Sequence, residues 1–228
     1  MGREQVLAFL IREIIRRKQD NKPLRVGIDG RCAAGKSSLA IALTEALGSR
    51  KRDVLHVSVD GFHHSRAHRY QQGEDSARGY YEDAYDYQAV IDHVLGPLSK
   101  NVFPALCRPV ARNLHSDMPD AAAPIAVGPD AVLLFDGIFL FRRELNAYWD
   151  FRILLDIDAA ASISRAVDRD TGVIGPGDAA RRRYEVRYEP AWQIYAREEH
   201  PELKADAIVD NRDFEHSRIL KPAMGCWG

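Results

Sequence analysis

Apolar residues recur along this chain with two alternating periods, one helical and one strand-like. From Gln5 to Lys18 the positions Val6, Phe9, Leu10, Ile14 and Ile15 follow helical spacing, and Asn21 and Pro23 end the segment. Leu24 to Asp29 reads as a short buried strand, and Leu39, Leu43 and Leu47 place a helix over Ser37 to Leu47 that stops at Gly48. Val54 to Val59 is a β-branched run, hence a second strand, ending at Asp60-Gly61. Phe62 to Tyr87 carries His63, His64, Arg66, Arg69, Tyr80, Tyr81, Asp83 and Asp86. It is too aromatic for a disordered linker and too polar for core, so the expectation is a structured, ligand-facing segment.

A helix from Tyr87 to Leu95 follows, closed by Gly96-Pro97. Pro104, Pro109, Pro119 and Pro124 then break the chain into short pieces, with Phe103 to Leu106 and Ile125 to Val127 as strands of a small hairpin and 113–123 as its flexible tip. Ala131 to Phe135 is a fully apolar strand ending at Asp136-Gly137, with helix expected from there to about Tyr148. A strand over Phe151 to Asp156, a helix over Ala159 to Arg169 and a mobile glycine-bearing loop over Thr171 to Gly177 come next. A long charged helix spans about Asp178 to Glu198, and Ala207 to Val209 is a last short strand. Strands alternating with helices predict an α/β domain, a parallel sheet with helices on both faces. Ligands of such sheets bind at the carboxyl ends of the strands.

Composition narrows this little. The 228 residues are 46% hydrophobic and 29% charged, enough for one large domain with its own core. A net charge of −1 supplies no general field for nucleic acid or an anionic membrane, so neither is expected as a partner. Arg16-Arg17-Lys18 complements a helix dipole, and Cys32, Cys107 and Cys226 are too dispersed for a disulfide framework or zinc site. Early charges at Arg3 and Glu4, and the lack of any apolar run of membrane-spanning length, set the expectation of a cytoplasmic protein.

The chemistry begins where the first strand meets the second helix. Gly30-Arg31-Cys32-Ala33-Ala34-Gly35-Lys36-Ser37 fits G-x-x-x-x-G-K-[ST] in its strand–loop–helix context. Backbone N–H groups from Gly30 to Ser38 and the helix N-terminus would converge on a polyphosphate. Lys36 would reach the outer phosphates and the Ser37 hydroxyl would hold Mg²⁺. Asp29, Asp60 and Asp136 end predicted strands and should all approach that site. Asp136 has the form of a metal-binding strand-end aspartate, acting directly or through water, with a turn cap as the alternative. Asp60 is placed to take a proton from an acceptor hydroxyl, and Asp29 to orient the loop.

Arg165 and Arg169, four apart on one helix, would close over the phosphates as a lid and exclude water; the alternative is a solvated face paired with Asp168 and Asp170. For Arg181, Arg182 and Arg183 the lid and surface readings stay open. Catalysis is thus expected from Asp60, Lys36 and Arg169. Substrate contacts are expected from Asp60, Phe62, His63 and Tyr81 and, on the lid reading, Arg183, with His63 and His64 as polar wall and not metal ligands.

The phosphate motif, Val59-Asp60-Gly61-Phe62-His63, Leu134-Phe135-Asp136-Gly137, Arg165-Ala166-Val167-Asp168-Arg169-Asp170, the Arg183 to Ala191 stretch and Ala205 to Asn211 occur in an order that resembles the uridine kinase and phosphoribulokinase family of P-loop kinases. The resemblance implies transfer of the γ-phosphoryl of ATP, with Mg²⁺, to a primary hydroxyl of a nucleoside or sugar. It implies a single P-loop domain with a five-stranded, mostly parallel core, a hairpin lobe near 101–128 and a helical lid near 165–190. By position it makes Asp60 the catalytic aspartate and Asp86 a contact to sugar hydroxyls. Two departures stand out. The pyrimidine-reading Tyr-Asp-Phe…His segment is replaced by Leu106-Cys107-Arg108-Pro109-Val110-Ala111-Arg112, and a paired arginine by Arg165-Ala166. A nucleoside is therefore the first acceptor expected, a sugar, sugar phosphate or pantothenate-like alcohol the second. A regulatory ATPase is the reading from another class, and a homo-oligomer is left open.

Overall fold

The computed structural model describes residues 2–18, 21–171 and 177–221. Its strands are β1 (Leu24–Gly30), β2 (Val54–Ser58), β3 (Ala105–Cys107), β4 (Ile125–Val127), β5 (Val132–Asp136), β6 (Phe151–Asp156), β7 (Ala207–Asp210) and β8 (Arg218–Lys221). The main sheet runs β2-β5-β1-β6-β7-β8. Its first five strands are parallel and β8 is antiparallel to β7. Alternate residues of each strand feed opposite faces. Val132 and Leu134 of β5 pack with helix α1 (Arg3–Arg17) and helix α2 (Lys36–Gly48) through Leu10, Ile14, Leu43 and Leu47. Leu133 and Phe135 pack on the other face with Phe62, Val90, Trp149 and Tyr195. The register pairs Ile28 of β1 and Ser58 of β2 with Asp136, which sets three strand ends side by side.

Several expected boundaries move, each for a physical reason. Residues after Asp136 form buried turns and one short 3₁₀ turn, Asn146–Tyr148, instead of a helix. Ile138, Phe139, Leu140 and Phe141 are buried in succession, so the start of the segment has no polar face to present as a surface helix, and Phe139 takes a left-handed φ of 66°. Gly96-Pro97 does not end its helix. A π turn at Ile91–Leu95 carries the chain on to Ser99, and the His93 carbonyl, which Pro97 cannot bond, accepts the Arg108 N–H at 2.9 Å. The long charged helix has the same device, a π turn at Tyr184–Tyr188 just before Pro190.

β3 and β4 pair as a separate two-stranded hairpin. Its tip is a hydrogen-bonded turn and not loose chain: Asn113 and Asp117 exchange backbone contacts with Met118 and Asn113, and Arg112 bridges to Pro119. β8 was not expected from its half-exposed Arg-Ile-Leu-Lys pattern. Residues 172–176 of the expected mobile loop, and Cys226, lie outside the described residues.

Candidate active site

β1 delivers the phosphate loop. A side chain at Gly30 would bring Cβ to 2.6 Å from the Leu155 carbonyl oxygen, and at Gly35, where φ is 91°, to 2.8 Å from Asn211 Nδ2. Glycine is needed at both points for the loop to approach its neighbours. Asn211 donates to the Ala34 carbonyl at 2.7 Å and Ser162 to the Cys32 carbonyl at 2.8 Å, so the residue just after β7 and the Ala159–Asp170 helix hold the loop from outside. α2 then starts at Lys36 with Gly35 as its N-cap, which contributes no side-chain acceptor to the first N–H groups. Lys36 Nζ folds over the loop onto the carbonyls of Gly30 and Arg31, at 2.9 and 2.6 Å.

Ser37 Oγ donates to Asp136 Oδ2 at 2.7 Å, and His56 Nε2 is 2.7 Å from Asp136 Oδ1. The carboxylate itself is buried. Asp60 follows β2 in a 3₁₀ turn, Val59–Phe62, with Ser58 as its cap. Its carboxylate accepts from the Tyr85 hydroxyl at 3.3 Å and is exposed to the cleft. The Asp60 carbonyl contacts His63 Nδ1 at 2.8 Å, and burial pushes the His63 imidazole below its usual range despite the Asp60 charge beside it. The next carbonyl, Gly61, accepts from Ala111 and Arg112 N–H groups at 2.8 and 3.1 Å, which docks the hairpin lobe against this turn.

One cleft of about 920 Å³ runs between these parts. Lys36, Ser37, Ser38, Asp60, His63, Asp136, Arg165 and Arg169 all line it, so residues from four separate stretches of chain meet there. Arg165 donates to the carbonyls of Asn211 and Arg212 beside the phosphate loop. Arg169 makes two bonds to Asp170, at 2.6 and 3.0 Å, and one to the Tyr184 hydroxyl at 3.2 Å, so its surface-pair partner and its place in the cleft coexist.

Other expected contacts do not reach the cleft. Phe62 is fully buried against Phe135, and Tyr81 is buried among Phe139, Tyr195 and Arg142. Both are core residues, because the polar segment they belong to folds back on the sheet. Asp86 caps the Tyr87–Val90 helix through Ala89 N–H at 2.8 Å, and Arg183 donates to the Tyr70 hydroxyl at 3.0 Å. Arg31 turns away to the Ile157 carbonyl and Glu189. Asp29, expected to approach the phosphates, is wholly buried and faces inward, accepting from Gly30 N–H, Tyr195 and Phe141 N–H. Burial raises its pKa to about 6, opposed by those hydrogen bonds.

Tyr85 and the hairpin-tip residues His115 and Asp117 line the cleft, and His56 reaches Asp136 beside it, though none of the four was expected at the site. His56 had a signal, a lone polar ring inside the apolar Val54 to Val59 run. The tip had none, since only the fold of the lobe brings it over.

A family model described as Phosphoribulokinase / Uridine kinase family matches residues 25–210. The chain belongs to that family. This family member is 27% identical over 157 residues to a uridine kinase of Geobacillus sp. (strain WCH70), a match that covers 65% of this chain and 68% of the relative. It is 26% identical over 160 residues to uridine-cytidine kinase 2-B of Danio rerio, covering 65% of this chain and 58% of that protein, so the match spans little more than half of the Danio relative. Its fold is similar to that of a possible uridine kinase from Bacillus stearothermophilus, with a TM-score of 0.71 at 21% identity over 90% of this chain and 97% of the other. The mostly parallel sheet is the P-loop kinase fold. No helix among the described residues is long and apolar enough to cross a membrane.

The family implies a magnesium ion, and the residues present suit one. Ser37 and Asp136 offer a hydroxyl and a carboxylate 2.7 Å apart beside the phosphate loop. Both are hard oxygen donors, and Mg²⁺ is commonly held by one or two such groups together with substrate phosphates. A closed all-protein cage is not needed, and the described residues contain no cluster of three or more His, Cys, Asp or Glu side chains fit for a metal.

Proposed function

We propose that this protein transfers the γ-phosphoryl group of ATP to a primary hydroxyl of a small molecule. The observation that carries the reading is that Asp60 opens into the same cleft as Lys36, Ser37 and Asp136. Lys36 and the loop N–H groups bind and orient the phosphates, and Arg165 and Arg169 meet charge on the transferred group. Ser37 and Asp136 would hold Mg²⁺, which would neutralise charge on the β- and γ-phosphate oxygens. Asp60 takes the proton of the acceptor hydroxyl as its oxygen bonds to the γ-phosphorus, and the bond to ADP breaks.

Two acceptor classes have support. The names of the Geobacillus and Danio relatives favour a nucleoside. The hairpin favours a sugar, sugar phosphate or pantothenate-like alcohol, because the stretch that would read a pyrimidine does not line the cleft. Leu106 points to solvent, Cys107 is buried and Arg108 bonds the Ala122 carbonyl.

The test is acceptor-dependent ADP release in the parent and in Asp60→Asn. The variant keeps size and hydrogen bonding but cannot take a proton. Acceptor-dependent kcat should fall by roughly 10²–10⁴ while Mg·ATP affinity stays within about three-fold. Transfer that survives nearly intact would remove Asp60 as the base. Failure of ATP to bind the parent, with Lys36→Ala as the control, would remove the kinase reading itself.

A further inference from the structure

A second concentration of positive charge lies in the cleft, away from the phosphate loop. Four guanidinium groups surround the single ring of Tyr70, with Cζ of Arg187, Arg69, Arg183 and Arg66 at 4.9, 5.5, 5.5 and 5.9 Å from its centroid. Tyr70, Arg66, Arg69 and Arg187 all line the same cleft as Asp60. Facing these four cations are two carboxylates, Asp117 at 3.8 Å from Arg69 and Glu74 at 3.9 Å from Arg183, both beyond hydrogen-bond distance.

The remaining partners are neutral. Arg187 is fully buried and spends its donors on the carbonyls of Arg69, Gly73, Glu74 and Ser76. Burial therefore depresses its pKa, as expected for a cation with no carboxylate against it. Arg69 bonds the His64 carbonyl through Nε alone. Arg66 is exposed, its backbone N–H is held by Asp117, and its guanidinium lies over the Tyr70 ring and makes no hydrogen bond or ion pair among the described residues.

Location separates this cluster from the cations that serve ATP. Arg165 is tied to the 211–212 backbone beside the phosphate loop. Arg66 and Arg69 are tied instead to Asp117 at the hairpin tip, and their short helix, Arg66–Arg69, follows directly on the Asp60 turn. Cations crowded within one Debye length repel one another, and a bound anion offsets that repulsion; a neutral nucleoside or sugar does not.

Resting on the phosphotransfer reading above, we propose that the acceptor alcohol carries an anionic group, a phosphate or a carboxylate, held by Arg66 and Arg69 at the edge of Tyr70 while its hydroxyl faces Asp60. Guanidinium forks suit both oxyanions. Arg187 supplies charge from behind and shapes the loop that carries Tyr70.

The test compares acceptors that differ only in charge. ADP release by the full chain with Mg·ATP would be measured for glycerol, glycerate and glycerol 3-phosphate, for fructose and fructose 6-phosphate, and for uridine. At least one anionic alcohol should exceed its neutral counterpart and uridine by about tenfold or more in kcat/KM, the worth of one hydrogen bond to a charged group. Which of glycerate and glycerol 3-phosphate gains distinguishes carboxylate from phosphate. Arg66→Gln, on the surface and so expected to fold, should erase that preference while Mg·ADP affinity stays within about three-fold.

A preference for uridine or a neutral sugar would overturn the proposal. So would a preference that survives both Arg66→Gln and Arg69→Gln, or a loss of Mg·ADP affinity in Arg66→Gln, which would assign the cluster to the nucleotide. Calorimetric titration of glycerol 3-phosphate and, separately, of glycerate into protein saturated with Mg·ADP gives a readout independent of turnover. Binding lost in Arg66→Gln supports the anion site even if no acceptor is phosphorylated, which would count against the kinase reading alone. No binding to the parent would overturn the anion site.

Discussion

His56 Nε2 stands 2.7 Å from one oxygen of Asp136, while the other oxygen accepts the Ser37 hydroxyl at the same distance. β2 lies beside β5 with Ser58 opposite Asp136, so a residue two positions earlier on the same face reaches the carboxylate from behind. The imidazole thereby fixes the rotamer of the aspartate proposed to hold the metal. Groups that orient a ligand in this way are commonly worth about 10–100-fold in metal affinity.

His56→Ala should therefore weaken the gain in ADP affinity that Mg²⁺ provides by about tenfold or more, with metal-free ADP affinity unchanged. His56→Gln, which keeps a donor near the same place, should restore part of it. Calorimetric ADP titrations with and without Mg²⁺ report this directly. An unaltered ratio in His56→Ala would reduce the contact to packing.

Arg169 is paired with the Asp170 carboxylate and donates to the Tyr184 hydroxyl, which itself donates to Asp170. Its guanidinium must share itself between that pair and charge developing on the transferred phosphoryl. Arg169→Ala should lower kcat by about 10²-fold, near the worth of one pre-placed donor, and raise KM for ATP far less. Steady-state kinetics would check it. Equal activity in variant and parent would leave Arg169 as a surface ion pair.

Asp29 sets a pH dependence of stability. Its folded pKa of about 6 lies above the ordinary 3.8, so between those values the folded chain holds a proton that the unfolded chain has released. This contribution is fully present below pH 3.8 and is lost as pH rises through 6. Asp29→Asn, like the protonated acid, carries an acceptor oxygen and a donor in place of the second oxygen, and does not titrate. The variant should match the parent near pH 4 and gain on it by pH 7, by on the order of 3 kcal/mol at most. Denaturant unfolding at the two pH values decides this, and a gap independent of pH would give Asp29 an ordinary pKa.

Much of the fold was legible because it depends on local pattern. The β-branched Val54 to Val59 run and the fully apolar Ala131 to Phe135 run read as strands, and a glycine loop between strand and helix has one common use. The helix expected after Asp136 failed because periodicity does not reveal whether an apolar stretch is surrounded on all sides. Phe62 and Tyr81 failed as ligand contacts for a related reason: a segment rich in polar residues can still send individual rings into the core, and the direction of each is set by what it packs on.

By itself, the sequence determined the order of the parallel strands' hydrophobic runs, the phosphate loop and the strand-end positions of Asp60 and Asp136, since these follow from spacing along the chain. Only the tertiary structure decided that Asp29 turns inward to Tyr195, that His56 backs Asp136, and that four arginines from residues 66 to 187 meet on Tyr70. The first two join positions 166 and 80 residues apart, and the last brings Arg183 and Arg187 more than a hundred residues back to Tyr70. They depend on sheet register and on which carbonyls each guanidinium finds, and neither is encoded in local spacing.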